Sequence, residues 1–468
     1  MITFPFGMAS RNFLAAACAA FCLGPGSISA MAATDATHRD GVPLREIQTL
    51  SQIFSLIRAD YVDHASNHKL MEGAIAGMVH SLDPHSAYLT PREWQEMQVV
   101  TDGSFGGLGI RVMPYHGLLR VIAPIDGTPA AKAGIRHGDL IVRINGKSIQ
   151  ELGPEKAVDR MRGKPGTAIT LTLLRPHRST PVDVTLKRAV IHEKSVHAAM
   201  LAPHYGYIRI SQFQENTGNS VRHAILGLKQ QSGGRLSGLV LDLRNNPGGV
   251  LRAGVKTASL FLDHGLIVYT KGRTAESRMR FTAHGPDLLR GTPVIVLING
   301  GSASAAEIVT GALKDNGRAL VMGSRSFGKG SVQTIIPLQN GGALKLTTAL
   351  YYTPAGCSIQ GEGIVPNIEI RAAGPRDQDL ENNRLHESEL QGVLTAPDQC
   401  QDMKPEYVLL EPASMKPGKS RAGLSHPGPA EDFALRKALA ILKHQQIQAS
   451  INGKTEAIAI PLPQNGEQ

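Results

Sequence analysis

The chain has 468 residues, 42% of them hydrophobic, enough for two or three domains with their own cores, because a single core stops growing well short of that length. Aromatic residues make up 4% while there are 50 glycines, which favours small-residue α/β packing and tight turns over a helical bundle. The formal charge of +10 is spread along the sequence, with no basic run interleaved with aromatics, so it reads as a solvated basic surface weakly drawn to anionic envelope surfaces, and nucleic acid is not an expected partner.

At the amino terminus Arg11 precedes the apolar stretch "FLAAACAAFCLG", broken by Gly24, Pro25 and Gly26 before the small-residue run "SISAMAA". The apolar run is shorter than the twenty or so residues that span a bilayer, and the pattern is that of a secretory signal peptide over residues 1–32. Ala30 and Ala32 suit cleavage after Ala32, and the expected destination is the periplasm. Of four cysteines, Cys18 and Cys22 would leave with that segment, and the residues before them lack a lipid-attachment pattern. Cys357 and Cys400 remain; an oxidising compartment permits a disulfide, but their spacing carries no pairing signal.

From Leu44 to Met97 apolar residues recur at three and four (Ile47, Leu50, Ile53, Phe54, Ile57), interrupted at "DPHSAYLTPREW", where Thr90 suits a cap and Pro91 a first helical position. Residues 33–102 are therefore expected to form a helical region serving as a packing and dimerisation surface. Residues 103–190 change to short glycine-bounded strands, "GIRVMPY", "LLRVIAPI", "DLIVRING" and "ITLTLLRP", with one candidate helix at "PEKAVDRM". From 191 to 370 apolar strands alternate with turns and helices. Residues 371–468 are polar apart from the amphipathic "DFALRKALAILKH" and read as a tethering tail with one docked helix. The fold class is multidomain α/β (α+β).

"GSRSFGKGS" places Gly323, Gly328 and Lys329 as a phosphate-binding loop would. Gly330 stands where that loop needs a hydroxyl for magnesium, and the following "SVQTIIPL" is β-branched and alternating, a strand where a phosphate loop opens a helix. A nucleotide site is set aside. No HExxH or CxxC occurs, so a metal hydrolase has no support. "PVIVLING" runs into "GSASAAEIVTGALKD", whose Ile308, Val309, Ala312 and Leu313 fit one helical face. Either Ser302 or Ser304 then sits at a helix amino terminus, as an ordinary cap or as a nucleophile beside amides that stabilise negative charge. No GxSxG elbow accompanies them, and a Ser-Lys dyad with Lys329 is a convergent alternative to the triad.

Two resemblances give these residues roles. "GGLGIRV" followed by "APIDGTPAAKAGIRHGDLIVRINGKSI" resembles a bacterial PDZ domain, which implies that Gly106, Gly107, Leu108, Gly109 and Ile110 form the loop presenting amides to a peptide's terminal carboxylate, beside a strand edge that accepts an extended peptide. "GLVLDLRNNPGG", "NGGSASAAEIVTGALKDNGRALVMGSRSFGKGSVQ" and "SIQGEGIVPNIEI" resemble the carboxyl-terminal processing (tail-specific) proteases, over about residues 45–370. That resemblance implies a serine endopeptidase with Ser304 as nucleophile, Lys329 as base, 25 positions on, and Gln333 holding the lysine amine. The oxyanion would face the Ala305 amide and that of Gly248 or Gly249. Ala306 replaces a third serine found in many members and leaves the assignment intact.

Asp242 and Arg244 are expected to pair and shape the oxyanion loop, and Glu307 to complement the helix dipole. The resemblance further implies protein substrates with apolar flexible carboxyl termini, self-association, a tetratricopeptide lipoprotein adaptor, and no metal or organic cofactor. A non-catalytic PDZ-containing envelope protein is the competing class. For the dyad to work near neutral pH, Lys329 must be buried enough to lose about three units from its ordinary pKa, on the order of 4 kcal/mol.

Overall fold

The computed structural model describes residues 43–175, 180–372, 385–396, 398, 404–411, 432–451 and 454–463. The signal-peptide expectation, residues 1–32, lies outside them. Helix Leu44–Asp60 buries none of its residues, Phe54 and Ile57 being half-buried and the rest exposed. Helix Asn67–His80 starts at Ser66, whose hydroxyl accepts from the Lys69 amide. The "DPHSAYL" interruption holds an unpredicted strand, Ala87–Leu89, paired antiparallel with Ala343–Tyr352. Helix Pro91–Asp102 begins as expected, with Thr90 and Glu93 in a reciprocal capping box and Pro91 at its first turn, and ends at Gly103 in the left-handed region.

In the second region the strands run in the order Ile110–Tyr115, Leu118–Pro124, Leu140–Ile144, Ala168–Leu174 and Val182–Lys187, with Lys147–Ser148 beside the third. Helix Pro154–Met161 buries Ala157 and Met161, and the sheet's inner positions, among them Leu119, Val121, Ile141 and Leu171, form a separate core. Ser104–Gly107 pairs with Ala189–His192 and closes the region at its base. Ile110–Tyr115 lies at the sheet's end, with one edge unpaired among the described residues.

The largest body is a nine-stranded sheet in the order Val196–Ala202, Tyr205–Ile210, Gly238–Asp242, Val294–Ile298, Leu320–Gly323, Ile368–Ala372, Tyr407–Glu411, Ile447–Ile451 and Lys454–Ile458. Pairings from Tyr205–Ile210 through Tyr407–Glu411 are parallel. Parallel strands are covered on both faces and so read as continuous apolar runs. Leu239 and Leu241 point to a core shared with helices Thr217–Gln231, Leu251–Ser259 and Ala305–Asp315. Val240, Ile295, Leu297 and Met322 point the other way, to Phe433, Leu435, Ala438 and Ile441 of helix Phe433–Leu442.

The expected polar tail is thus corrected over its described part. Beyond 370 the chain supplies three strands of the main sheet and the helix that covers its second face. These strands are short and flanked by long polar runs, and composition averages them away. A second sheet joins Ala87–Leu89, Leu266–Gly272 and Ser331–Pro337 to Ala343–Tyr352, and Arg280–Thr282 to Leu266–Gly272. The strand expected after Lys329 is Ser331–Pro337. Cys357 is disulfide-bonded, while Cys400 lies outside the described residues.

Candidate active site

Strand Val294–Ile298 ends in the turn that delivers the two candidate serines to helix Ala305–Asp315. They part company there. Ser302 is fully buried, its hydroxyl donating to the Leu243 carbonyl at 2.8 Å and accepting from the Asn299 amide at 2.9 Å. Ser304 is half-buried and lines a cavity of about 290 Å³. Its φ of 54° and ψ of −114° lie where a residue with a Cβ is strained, at a cost on the order of 1–3 kcal/mol that the surroundings must hold. The Glu307 carboxylate accepts from the Ser304 amide at 2.7 Å, and the Ala303 amide donates to the Asn246 carbonyl at 2.9 Å.

Gly248 packs against this elbow: a Cβ there would stand 2.7 Å from Ser304 Cβ and 2.9 Å from the Ala305 nitrogen. The Gly248 amide donates to Asn246 Oδ1 at 2.8 Å, so of the two glycines considered for the oxyanion it is already committed. The Gly249 and Ala305 amides meet no acceptor among the described residues. Asp242, fully buried, binds Arg244 through paired oxygens at 3.0 and 2.6 Å and accepts from Tyr207 at 2.8 Å. Arg244 reaches on to Asp432, the cap of helix Phe433–Leu442. The anticipated pair at the start of the glycine loop therefore also anchors the carboxyl-terminal helix.

Lys329, Gln333, Gly248 and Gly249 line the cavity with Ser304. Burial, with Lys345's like charge behind it, pulls the Lys329 pKa down to about 8 against the opposing pull of Glu387, Glu307 and Asp83. The lysine is thus partly neutral under mildly alkaline conditions, as a proton acceptor must be. Gln333 differs from expectation. Its Nε2 donates to Ser331 Oγ at 3.0 Å and Thr347 Oγ1 at 3.3 Å, and no bond joins it to the Lys329 amine. These bonds fix the donor end of the amide on hydroxyls of its own strand and the neighbouring one, since a lysine ammonium carries only donors and could be met only by the amide oxygen.

Glu307 was anticipated as a dipole partner and does more. It is fully buried and accepts from Ser304 N, Ser326 Oγ (2.6 Å), Gly328 N (2.7 Å) and Lys329 N (3.0 Å). One carboxylate therefore ties the nucleophile's elbow to the lysine loop. Burial raises its pKa to about 7 against those hydrogen bonds. The "SAAE" spacing of a capping box was the legible signal. Tyr351, which neither motif nor periodicity marked, is buried with its hydroxyl donating to the Lys329 carbonyl and hydrogen-bonded to the Ser304 side chain. Burial pushes its pKa well above the ordinary value, so it stays a donor.

In the smaller domain the carbonyls of Gly106, Leu108 and Gly109 accept from Gly163, Ala130 and Ile125, while no acceptor engages the Leu108 or Gly109 amides among the described residues. Gly107 pairs with Ala189, and Ile110 opens the edge strand.

Residues 204–370 match peptidase family S41, residues 120–175 a PDZ domain, and residues 25–92 the amino-terminal domain of the activating protease CtpB. A carboxy-terminal-processing protease of Bartonella bacilliformis is 46% identical over 369 residues, 79% of this chain and 85% of that protein. The chain belongs to the carboxyl-terminal processing protease family. The protease is a serine-type peptidase with a PDZ domain and is built for peptide or protein substrates. It is also 38% identical to a probable CtpA-like serine protease of Staphylococcus aureus, over 69% of this chain and 64% of that one. A photosystem II D1 C-terminal processing protease of known structure is 30% identical, covering 69% of this chain and 92% of its own, with a TM-score of 0.40.

Proposed function

We propose that the protease is a secreted, periplasmic endopeptidase in which Ser304 and Lys329 form the catalytic dyad and the PDZ domain captures substrate carboxyl termini. The observation that carries the dyad is a serine on a strained helix-start elbow sharing one cavity with a lysine whose ammonium is destabilised by burial. Neutral Lys329 takes the hydroxyl proton as Ser304 Oγ attacks the peptide carbonyl, and the tetrahedral oxyanion accepts from the Ala305 and Gly249 amides. The Lys329 ammonium then returns the proton to the departing amine, leaving an ester on Ser304. Water, deprotonated by Lys329, hydrolyses that ester and frees both serine and product.

Tail capture is supported by the unengaged Leu108 and Gly109 amides beside the free edge of Ile110–Tyr115, the two elements a terminal carboxylate and an added strand require. Secretion is supported by the apolar stretch after Arg11, and no helix among the described residues is long and apolar enough to cross a membrane. Self-association through the exposed apolar residues of Leu44–Asp60 belongs to the same reading.

The test is mass spectrometry of a flexible protein with an apolar carboxyl terminus after incubation with the mature chain, Ser304→Ala and Lys329→Ala. Cleavage by the parent alone supports the dyad, and slower cleavage after amidating the substrate's terminus supports tail capture. A variant that cuts as fast as the parent removes its residue from the mechanism.

A further inference from the structure

The turn Asp83–Ser86 does not line the cavity, yet two hydrogen-bonded chains run from it into the site. In the first, the Asp83 carboxylate accepts from the His85 and Ser86 amides at 2.8 and 2.9 Å, from the Ser86 hydroxyl at 2.6 Å and from the Thr347 hydroxyl at 3.0 Å. Thr347 Oγ1 accepts in turn from Gln333 Nε2. In the second, His85 Nε2 lies 2.8 and 2.9 Å from the two Glu387 oxygens, both acceptors, so that nitrogen carries a proton. Gln360 Nε2 donates to Glu387 Oε1 at 2.8 Å, and Gln360 Oε1 accepts from the Gly330 amide at 2.8 Å, one residue past Lys329. The Glu387 amide closes the loop on the Phe327 carbonyl at 3.1 Å, two residues before Lys329.

Glu387 is 0% and Asp83 5% exposed. Burying a carboxylate costs several kcal/mol unless partners replace its water, and apolar side chains would join these segments with no such cost. Asp83 instead holds its own turn together and takes one donor from Thr347, while Glu387 joins His85 to Gln360, so that the amino-terminal region is tied to Gln333 and to the Lys329 loop. We propose that Asp83 and His85 are positioning residues of this protease: from the amino-terminal region they hold Gln333, through Thr347, and the Lys329 loop, through Glu387 and Gln360, in register with Ser304. This rests on the Ser304–Lys329 reading. The charged groups acting on Lys329 are Lys345 from the neighbouring strand, Glu307 from the Ser304 helix, Glu387 and Asp83; His85 faces Glu387. Disturbing the chains therefore changes turnover and the proton affinity of Lys329, and leaves substrate capture alone.

The experiment measures kcat and KM between pH 6 and 10 on the same flexible substrate, using the full mature chain. The variants are His85→Ala, His85→Gln, Gln360→Ala, the His85→Ala/Gln360→Ala pair and Glu387→Gln, with Ser304→Ala and Lys329→Ala as blanks. His85→Ala is expected to lower kcat ten- to hundredfold, the scale of a small misplacement of catalytic groups, with KM within twofold. His85→Gln, which keeps a donor for Glu387, recovers most of it. The double variant is no worse than the poorer single one, since both cut the same chain. Glu387→Gln moves the acid limb of the pH–rate profile to lower pH, because removing a negative charge near Lys329 eases loss of its proton.

A folded His85→Ala with kcat within twofold of the parent, additive losses in the pair, or an unmoved acid limb in Glu387→Gln each overturn the proposal. Should His85→Ala not fold, the near-isosteric His85→Gln and Glu387→Gln decide it. An inactive parent, or cleavage by Ser304→Ala, instead brings down the dyad reading and this inference with it.

Discussion

Replacing Lys329 by methionine should make the protease more stable while abolishing its activity. The lysine's pKa falls from 10.5 to about 8 on folding, chiefly through burial, so between those values the unfolded chain binds a proton that the folded chain does not. Stability therefore rises with pH across that window, and the full penalty of the buried ammonium is present below about pH 8. Its size is about 3 kcal/mol at pH 7, falling to about 1 kcal/mol by pH 9.5. Methionine has a similar length and no charge. Urea unfolding of parent and Lys329→Met, followed by circular dichroism at pH 7 and pH 9.5, reads the difference directly. The variant should be the more stable at pH 7, with its advantage shrinking by about 2 kcal/mol at pH 9.5. An advantage that does not change with pH would mean that Lys329 keeps an ordinary proton affinity, and the argument for it as a base would fail.

The same pKa predicts that cleavage by the parent rises through a midpoint near pH 8 and levels off above it, which a pH series of kcat/KM checks. Glu307→Gln puts an amide donor where the carboxylate meets four donors; a loss of on the order of 2–3 kcal/mol in unfolding free energy and at least tenfold in kcat is expected. Gly248→Ala forces a Cβ to 2.7 Å from Ser304 Cβ at a φ of 92°, and kcat should drop by roughly a hundredfold or more through the oxyanion geometry, with KM nearly unchanged. Asp432→Ala leaves Arg244 with one carboxylate partner fewer; thermal melts should show a lower Tm, and exchange of the Phe433–Leu442 amides should speed up first.

The sequence alone determined those features whose cause is local. Thr90, Pro91 and Glu93 start a helix through bonds made within four residues, the continuous apolar runs can only be strands covered on both faces, and the β-branched "SVQTII" rules out a helix after Lys329. The proposed dyad of Ser304 and Lys329 was legible because the motifs around both residues are long and contiguous. Other features depended on groups that meet only after folding. Ser302 and Ser304 are alike in sequence and differ only in what surrounds them, a pair of backbone partners in one case and a cavity in the other. Whether Gly248 or Gly249 offers its amide turned on Asn246 Oδ1. The strand Tyr407–Glu411 gains its place from the edge of Ile368–Ala372, 39 residues earlier (Ile368 opposite Tyr407), across a polar stretch that carries no pairing signal. Asp83 and His85 reach the site across separations of 264 and 302 residues, and Gln360 joins Gly330 and Glu387 across 30 and 27, through hydrogen bonds that have no period and no motif. Such contacts leave no local trace in a sequence, because the free energy that fixes them arises only when the tertiary structure removes water from all the partners at once.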